Sequence, residues 1–154
     1  MSINEGDKAP AFKLPTDGGG ELSLKDLKGK TVVLYFYPKD MTPGCTTEAQ
    51  DFRDRAKDFD KAGAVIVGAS KDSVKRHDNF VAKHDLNFKL VSDENGTLCE
   101  DYGVWQKKKL YGREFMGIVR STFIIDGKGV VRKVWPKVKV KGHADEVLEA
   151  VKAL

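Results

Sequence analysis

The sequence predicts an α/β fold, built as a three-layer α/β/α sandwich with a strand extension at the N-terminus. Two observations carry this prediction. The segments "TVVLYFY" at 31–37 and "AVIVGAS" at 64–70 are continuous apolar runs rich in β-branched residues, which is typical of strands covered on both faces. A helical pattern follows each segment, and neighbouring strands joined through a helix run parallel.

The two helices after these strands are predicted by residue spacing and by signals at their ends. In the first, over 46–61, apolar residues recur every three or four positions until Gly63 ends the pattern. These residues are Ala49, Phe52, Ala56 and Phe59. The second helix lies in "DSVKRHDNFVAKHDL", where we expect Asp72 or Ser73 to be the N-cap.

The rest of the chain supplies shorter elements. We expect a strand pair within residues 1–30. After the second helix we expect a strand, a short helix, a hairpin and a closing helix, in "FKLVSD", "GTLCEDYG", "STFIID" with "GVVRKVW", and "HADEVLEAVKAL". This is the element order of a thioredoxin-like fold. Because no repeat or long linker interrupts it, we assign residues 1–154 to a single domain.

Composition excludes several classes of protein. With 40% hydrophobic and 32% charged residues, the chain is typical of a globular protein. It contains neither an apolar run long enough to span a membrane nor the basic and apolar order of a signal peptide. We therefore expect a cytoplasmic protein that does not bind membranes. Its two cysteines, Cys45 and Cys99, make no disulfide framework, so any role they have is expected to be chemical.

The net charge of +4 is concentrated in "KKK" at 107–109 and "RKVWPKVKVK" at 132–141. Binding of a nucleic acid or an acidic partner is one interpretation of these segments. We favour a solvated edge strand, because valine and lysine alternate in "KVKVK" and edge lysines discourage the pairing of sheets. The chain has no recognised nucleic-acid-reading motif, so we predict no nucleic-acid partner.

Cys45 stands where a reactive thiol is expected. It follows the turn residues Pro43 and Gly44, beyond the carboxyl end of a predicted parallel strand, where ligands of open α/β sheets bind. It also begins a helix, whose first turn carries partial positive charge and unpaired N–H groups that favour a thiolate. A buried packing cysteine is the alternative, but a Pro-Gly turn is not typical of a core.

The residues before Cys45 limit its chemistry. A thioredoxin has a Cys-x-x-Cys motif here, whereas this chain reads "TPGC", with Thr42 in place of the first cysteine. Exchange between two thiols of this loop is therefore impossible. A single activated thiolate beside a hydroxyl remains, which is suited to nucleophilic attack.

The segment "PKDMTPGC" contains Pro38, Thr42 and Cys45 in the order P-x-x-x-T-x-x-C. It resembles the active-site motif of the peroxiredoxins, thiol peroxidases that reduce hydroperoxides. Further segments are similar to the bacterioferritin comigratory protein subfamily, also called PrxQ: "EGDKAPAFKLP", "YFYPKDMTPGCTTEAQDFRD", "LVSDENG", "YGVW" and "GIVRSTFIIDGKG". The resemblance covers nearly the whole chain. It implies reduction of hydrogen peroxide and organic hydroperoxides without a metal or other cofactor.

The resemblance also implies residue roles. Cys45 matches the attacking cysteine, Thr42 the peroxide-binding hydroxyl and Arg120 the active-site arginine. Pro38 matches the residue that shields the thiol from water, and Glu48 the glutamate that orients the arginine. The chemistry of the residues agrees, because negative charge builds on the departing oxygen and must meet donors aimed at it beforehand. The Thr42 hydroxyl, the Cys45 N–H and the planar Arg120 cation are such donors.

Other candidate residues are weaker. His77, His84 and His143 have no zinc-binding spacing with the cysteines, so we predict no metal site. We expect His77 and His84 to lie on a helix surface, because they stand among charged residues. Cys99, beside Leu98 in "GTLCEDYG", is expected to be a packed and unreactive thiol.

The resemblance also implies how oxidised Cys45 is reduced. Thioredoxin or a similar thiol is the implied reductant, and since members of the subfamily are often monomeric, we expect a monomer. Many members carry a second cysteine five residues after the first or in the middle of the next long helix. Here those positions hold Gln50 and Val81, so we predict a cycle that uses one cysteine.

One further function stays open from the sequence. A peroxide-sensing or chaperone-like binding protein of the same fold would use oxidation of Cys45 to switch a surface. We favour the enzyme, because a sensor needs no donors that position a peroxide.

Overall fold

The computed structural model describes residues 3–154. In this part of the chain the strands are β1 (Lys13–Pro15), β2 (Glu21–Ser23), β3 (Thr31–Phe36), β4 (Ala64–Ser70), β5 (Lys89–Ser92), β6 (Trp105–Leu110), β7 (Arg113–Ile118), β8 (Ser121–Ile125) and β9 (Val131–Trp135). The α-helices are α1 (Pro43–Asp54), α2 (Ala56–Lys61), α3 (Val74–His84), α4 (Leu98–Asp101) and α5 (His143–Lys152). Short 3₁₀ helices lie at Asp17–Gly19 and Leu24–Leu27.

The central sheet has five strands in the order β5-β4-β3-β8-β9. β3 is its middle strand, parallel to β4 and antiparallel to β8, so that Leu34 lies opposite Val67 on one side and Phe123 on the other. β1 and β2 form a separate antiparallel pair, as expected for the N-terminal extension. The order confirms the thioredoxin-like α/β fold, and it places the carboxyl ends of β3 and β4 beside each other.

The core lies on both faces of this sheet. Consecutive side chains of a strand point to opposite faces. On β3, Tyr35 therefore joins a cluster with Phe52 and Val147, and Phe36 joins a second cluster with Phe123. Every residue of β3 after the first is buried, which explains the continuous apolar run of its sequence.

The first long helix differs from its prediction over 46–61. It begins at Pro43, since proline is favoured in the first turn of a helix, and it is divided at Arg55 into α1 and α2. Gly63 follows with a φ of 78°, as expected for the residue that ends the pattern. The N-cap of α3 is Ser73, whose hydroxyl accepts a hydrogen bond from the Arg76 N–H.

The hairpin of β6 and β7 was not predicted. It pairs Lys108 with Phe115 and turns at Tyr111 and Gly112, which have φ values of 51° and 75°. Two consecutive residues with positive φ are typical of the tight turns that join hairpin strands. Tyr111 is 95% exposed at the tip, so the hairpin projects from the domain with apolar as well as basic side chains.

The prediction of an edge strand through "KVKVK" is wrong. β9 does form the edge of the sheet, but it ends at Trp135, and residues 136–140 lie outside the strands. Pro136 cannot donate a ladder hydrogen bond, which ends the strand. Instead, the N–H of Val138 donates to the carbonyl of Arg120, so this basic segment packs beside the start of β8.

The α-helices are 4 to 12 residues long. Across residues 3–154, none combines the length and the apolar character needed to cross a membrane.

Candidate active site

Cys45 is the third residue of α1 and is 2% exposed. It lies beyond the carboxyl end of β3, because residues 37–42 form a short connection from that strand to the helix. The first turn of α1 supplies backbone N–H groups and partial positive charge around the thiol. Sequence reasoning placed Cys45 correctly at the end of a strand and the start of a helix.

Arg120 connects Cys45 to Glu48. Its Nη2 donates to the Cys45 sulfur at 3.3 Å, and its Nη1 donates to Glu48 Oε1 at 2.6 Å. Glu48 lies three residues after Cys45, on the same face of α1, so one planar guanidinium reaches both side chains. The side chain of Arg120 is 17% exposed and that of Glu48 is 1% exposed, so this ion pair is largely shielded from water.

Gly44 makes room for the arginine. A Cβ atom at this position would lie 3.3 Å from Arg120 Nη2, closer than most side chains approach a neighbour. The glycine before the cysteine therefore lets the guanidinium lie against the helix end.

Burial and charge act in opposite directions on this pair. Burial raises the pKa of Glu48 to about 7, although the charge and hydrogen bond of Arg120 lower it. Burial lowers the pKa of Arg120, but the charges of Glu48 and Cys45 outweigh this and leave it above its ordinary value. The arginine therefore stays cationic, while the glutamate titrates near neutral pH.

Thr42 and Pro38 lie in the connection from β3 to α1 that leads to Cys45. Thr42 is the N-cap of α1 through its backbone, and its hydroxyl donates to the Lys39 carbonyl at 2.8 Å. Pro38 is half-buried and, with Arg120, lines an open pocket of about 520 Å³. The structure thus gathers all five predicted residues at one end of the sheet, with direct contacts among Cys45, Arg120 and Glu48.

The pocket combines apolar and cationic walls. Its lining includes Phe115 of the β6–β7 hairpin, Lys108 of the same hairpin and Lys137. Burial and the charge of Arg120 lower the pKa of Lys108, against the charge of Cys45, which raises it. Lys108 and Arg120 therefore place two cationic side chains on the wall of the same pocket.

Comparison with known proteins gives the family. A profile of the AhpC/TSA family matches residues 5–134. Peroxiredoxin Bcp of Bacillus subtilis is 53% identical over 152 residues, which are 99% of this chain and 97% of that protein. The chain belongs to the AhpC/TSA family. Its relatives are peroxiredoxins of the Bcp or PrxQ type, which confirms the resemblance found in the sequence, and the protein is a thiol peroxidase.

Solved structures agree with this assignment. A structure of the bacterioferritin comigratory protein of Xanthomonas campestris, studied for alkyl peroxide reduction, is 51% identical with a TM-score of 0.88, over 92% of this chain and 90% of that chain. A mutant of Xylella fastidiosa PrxQ is 40% identical with a TM-score of 0.95, over 99% of this chain and 98% of that chain. These peroxiredoxins do not favour the alternative of a sensing or chaperone-like protein.

His77 and His84 are more buried than predicted, and His143, for which no location was predicted, is buried too. Placing His77 on a helix surface is wrong, since it is 0% exposed. His84 is partly buried, with its Nδ1 3.4 Å from the side-chain nitrogen of Gln50. His143 is buried, and its Nε2 lies 2.8 Å from the Thr122 hydroxyl. Burial lowers the pKa of His143 to about 4, so it is neutral at neutral pH.

Three ligand-type side chains lie together near the site. Atoms of Asp40, Asp72 and His77 lie within 4.8 Å of one another. These atoms already have protein partners, since Asp72 accepts hydrogen bonds from the Ser70 hydroxyl and the Arg76 guanidinium. An arginine at the cluster disfavours a cation, so the donor set fits a hydrogen-bonded network better than a metal site.

Sequence reasoning missed one polar group near the site, the hydroxyl of Tyr35. Among residues 3–154, the Tyr35 hydroxyl and Glu48 Oε2 are buried side-chain atoms without a hydrogen-bond partner. Burial raises the pKa of Tyr35, and the charges of Glu48 and Cys45 raise it further, so its hydroxyl stays protonated beside the site. A tyrosine in an apolar strand is expected to pack in the core, as Tyr35 does against Phe52. The sequence therefore did not indicate that its hydroxyl lies beside the site.

Cys99 lies away from this site. It belongs to the core cluster on the opposite face of the sheet from Cys45, and it is 0% exposed. Burial raises the pKa of its thiol, and the neighbouring Asp93 raises it further. The expectation of a packed thiol at this position is confirmed.

Proposed function

We propose that this peroxiredoxin reduces hydrogen peroxide and organic hydroperoxides through Cys45. The thiolate attacks the terminal oxygen of R–O–O–H, so that an S–O bond forms as the O–O bond breaks. Cys45 is left as a sulfenic acid, and the departing alkoxide takes a proton and leaves as an alcohol. The contact of Arg120 Nη2 with the Cys45 sulfur at 3.3 Å is the observation that carries this proposal.

The other residues prepare this step. Arg120 contacts the Cys45 sulfur and donates to the developing negative charge, and Glu48 holds its guanidinium in the required plane. The first backbone N–H groups of α1 bind the peroxide oxygens, and the Thr42 hydroxyl, which donates its proton to the Lys39 carbonyl, accepts from the peroxide hydroxyl. Pro38 limits the access of water to the thiol.

An external thiol completes the cycle. It attacks the sulfenic acid, water leaves, and a mixed disulfide forms, which a second thiol of the reductant resolves to free Cys45. Thioredoxin is the proposed reductant, acting on a monomer in the cytoplasm without a nucleic-acid partner. Organic hydroperoxides are included as substrates because the related Xanthomonas campestris protein was studied for alkyl peroxide reduction.

The cycle uses one cysteine of this chain. Gln50 and Val81 occupy the positions where relatives of the subfamily carry a second cysteine, and neither side chain forms disulfides. Cys99 is separated from Cys45 by the central sheet, since their side chains belong to the cores of its two faces. A bridge between them would require the fold to open.

A peroxide-consumption assay with thioredoxin and its reductase tests the function. The parent protein should turn over, and Cys45→Ser should abolish turnover because a serine hydroxyl is not ionised near neutral pH. Cys99→Ala is the matched control, since it removes the other thiol and should leave turnover in place. Residual activity of Cys45→Ser within tenfold of the parent would overturn the assignment of Cys45.

A further inference from the structure

Asp40 is a buried carboxylate in the loop that leads to Cys45. The loop runs from the end of β3 to the start of α1, and Asp40 is 1% exposed within it. Loops usually lie in water, and a carboxylate is rarely buried unless it is paired. Asp40 therefore requires a structural or functional explanation that the peroxidase residues do not provide.

Both carboxylate oxygens of Asp40 have short hydrogen bonds. The Tyr37 hydroxyl donates to Oδ1 at 2.5 Å, and His77 Nδ1 lies 2.6 Å from Oδ2. The other ring nitrogen of His77, Nε2, lies 3.0 Å from the carbonyl of Val91. A carbonyl only accepts hydrogen bonds, so Nε2 must carry a proton and Nδ1 is left to share a proton with the carboxylate.

This arrangement makes His77 and Asp40 a buried ion pair. Both ring nitrogens face acceptors, which is the environment of a doubly protonated ring. Burial lowers the pKa of His77, but the hydrogen bond and charge of Asp40 outweigh it and leave the pKa above its ordinary value. The other charged groups at the pair are Asp72 and Arg76, which are bound to each other at 3.0 Å.

The backbone of Asp40 is held as well. Its N–H donates to Asp72 Oδ2 at 2.8 Å, and its carbonyl accepts from Arg76 Nη2 at 3.3 Å. The Ser70 hydroxyl donates to the same Asp72 oxygen at 2.7 Å. Asp40 is therefore attached at three points outside its own loop, to Asp72 beyond the end of β4 and to His77 and Arg76 of α3, and His77 in turn contacts Val91 of β5.

The residue after Asp40 has a strained backbone conformation. Met41, directly after Asp40, has a φ of 66°, which is uncommon for a residue with a side chain. Thr42 follows and caps α1, three residues before Cys45. Surrounding structure must hold such a backbone conformation, and the contacts of Asp40 on one side of Met41, with the Thr42 hydroxyl bond to the Lys39 carbonyl across it, do so.

We propose that Asp40 and His77, with Tyr37, are positioning residues for the peroxidase reaction. They touch neither the peroxide nor the Cys45 sulfur. They fix residues 38–42 against β4, α3 and β5, so that Thr42 and the first N–H groups of α1 stay aligned with the peroxide at Cys45. This inference rests on the proposed peroxidase function of Cys45.

The test compares two tyrosines. Tyr37→Phe removes only the hydroxyl that donates to Asp40. Tyr102→Phe is the matched control, because it removes an equally buried hydroxyl that donates to the Pro10 carbonyl at 2.8 Å, on the opposite face of the sheet. Both changes keep the ring, so both proteins should fold, and thermal unfolding will show whether they lose similar stability.

Two reactions of Cys45 are then measured for each protein by stopped flow and mass spectrometry. Reduction of hydrogen peroxide requires aligned donors, whereas alkylation by iodoacetamide requires only a reachable thiolate. We expect Tyr37→Phe to slow the peroxide reaction roughly tenfold and Asp40→Asn roughly 100-fold, since small misplacements of reacting groups have effects of this size. Alkylation should change less than twofold, and Tyr102→Phe should change neither rate.

A spectroscopic measurement tests the ion pair without any activity. A ¹⁵N-edited NMR spectrum of the parent at pH 7 should show protons on both ring nitrogens of His77. A neutral ring, equal effects of the two tyrosine changes, or a parallel loss of peroxide reaction and alkylation would each overturn the inference. A parent that consumes no peroxide would instead overturn the proposed function, and this inference with it.

Discussion

Replacing Arg120 by lysine separates the charge of the arginine from its geometry. In the structure two nitrogens of the planar guanidinium make contacts at the same time. Nη1 lies 2.6 Å from Glu48 Oε1, and Nη2 lies 3.3 Å from the Cys45 sulfur. A lysine keeps the positive charge but offers a single nitrogen, which cannot occupy both places. We therefore expect Arg120→Lys to keep one of these contacts and lose the other.

The size of the effect follows from the lost contact. A hydrogen bond that involves a charged group contributes about 1.5 to 3 kcal/mol. If the contact to the sulfur and the departing oxygen is lost in the transition state, the peroxide reaction should slow about 10- to 100-fold, since 1.36 kcal/mol corresponds to a factor of ten. Loss of the Glu48 contact would add to this, because a buried carboxylate without its partner destabilises the site.

The assay is the second-order rate of peroxide reduction, measured by stopped flow at several pH values. Arg132→Lys is a suitable control, because Arg132 is about half exposed and pairs with Asp126 at 3.4 Å, on β9. It should react at the parental rate. An Arg120→Lys protein that reduces peroxide within twofold of the parent would show that the guanidinium geometry is not needed.

Three further outcomes are expected. After one equivalent of peroxide, mass spectrometry should find a dimedone adduct on Cys45 and a free thiol at Cys99; a Cys45–Cys99 disulfide would refute the one-cysteine cycle. Because burial raises the pKa of Glu48 from 4.5 to about 7, the folded protein holds this proton more tightly than the unfolded chain, so stability should fall as pH rises through that window. In urea unfolding, the free energy of unfolding of Glu48→Gln minus that of the parent should therefore rise by about 3 kcal/mol between pH 4.5 and 7. A difference that stays constant with pH would contradict the burial argument. Nucleic-acid binding should be absent at 150 mM salt despite the basic hairpin; tight binding that weakens steeply with salt would contradict this.

Much of the fold could be predicted because its strands and helices have local signals. The apolar run of β3 and the helical spacing after Cys45 depend only on neighbouring residues. The β6–β7 hairpin was missed because its strands are mostly exposed and rich in lysine, so they show no buried face. Its turn at Tyr111 and Gly112 also lacks the usual Asn-Gly or Asp-Gly signal.

Only part of the site could be predicted from the sequence, because its residues lie far apart along the chain. Cys45 and Arg120 are 75 residues apart, and only the family resemblance joined them before the structure did. His77 could not be placed from sequence, because its charged neighbours along α3 suggested water, while Asp40 lies 37 residues away. The helical pattern of apolar residues does not reveal a single polar residue whose side chain is buried against a partner from a distant loop.

The location of Cys99 makes it an internal reporter of unfolding. In the native protein its thiol is shielded by the core, so a thiol reagent reaches it only in molecules that have opened. The rate at which Cys99 is labelled in native buffer therefore measures the population of the open state, when reclosing is faster than labelling. A Cys45→Ser protein would carry this signal alone, which allows the stability of site variants to be followed without denaturant, with the thiol reagent as the single addition.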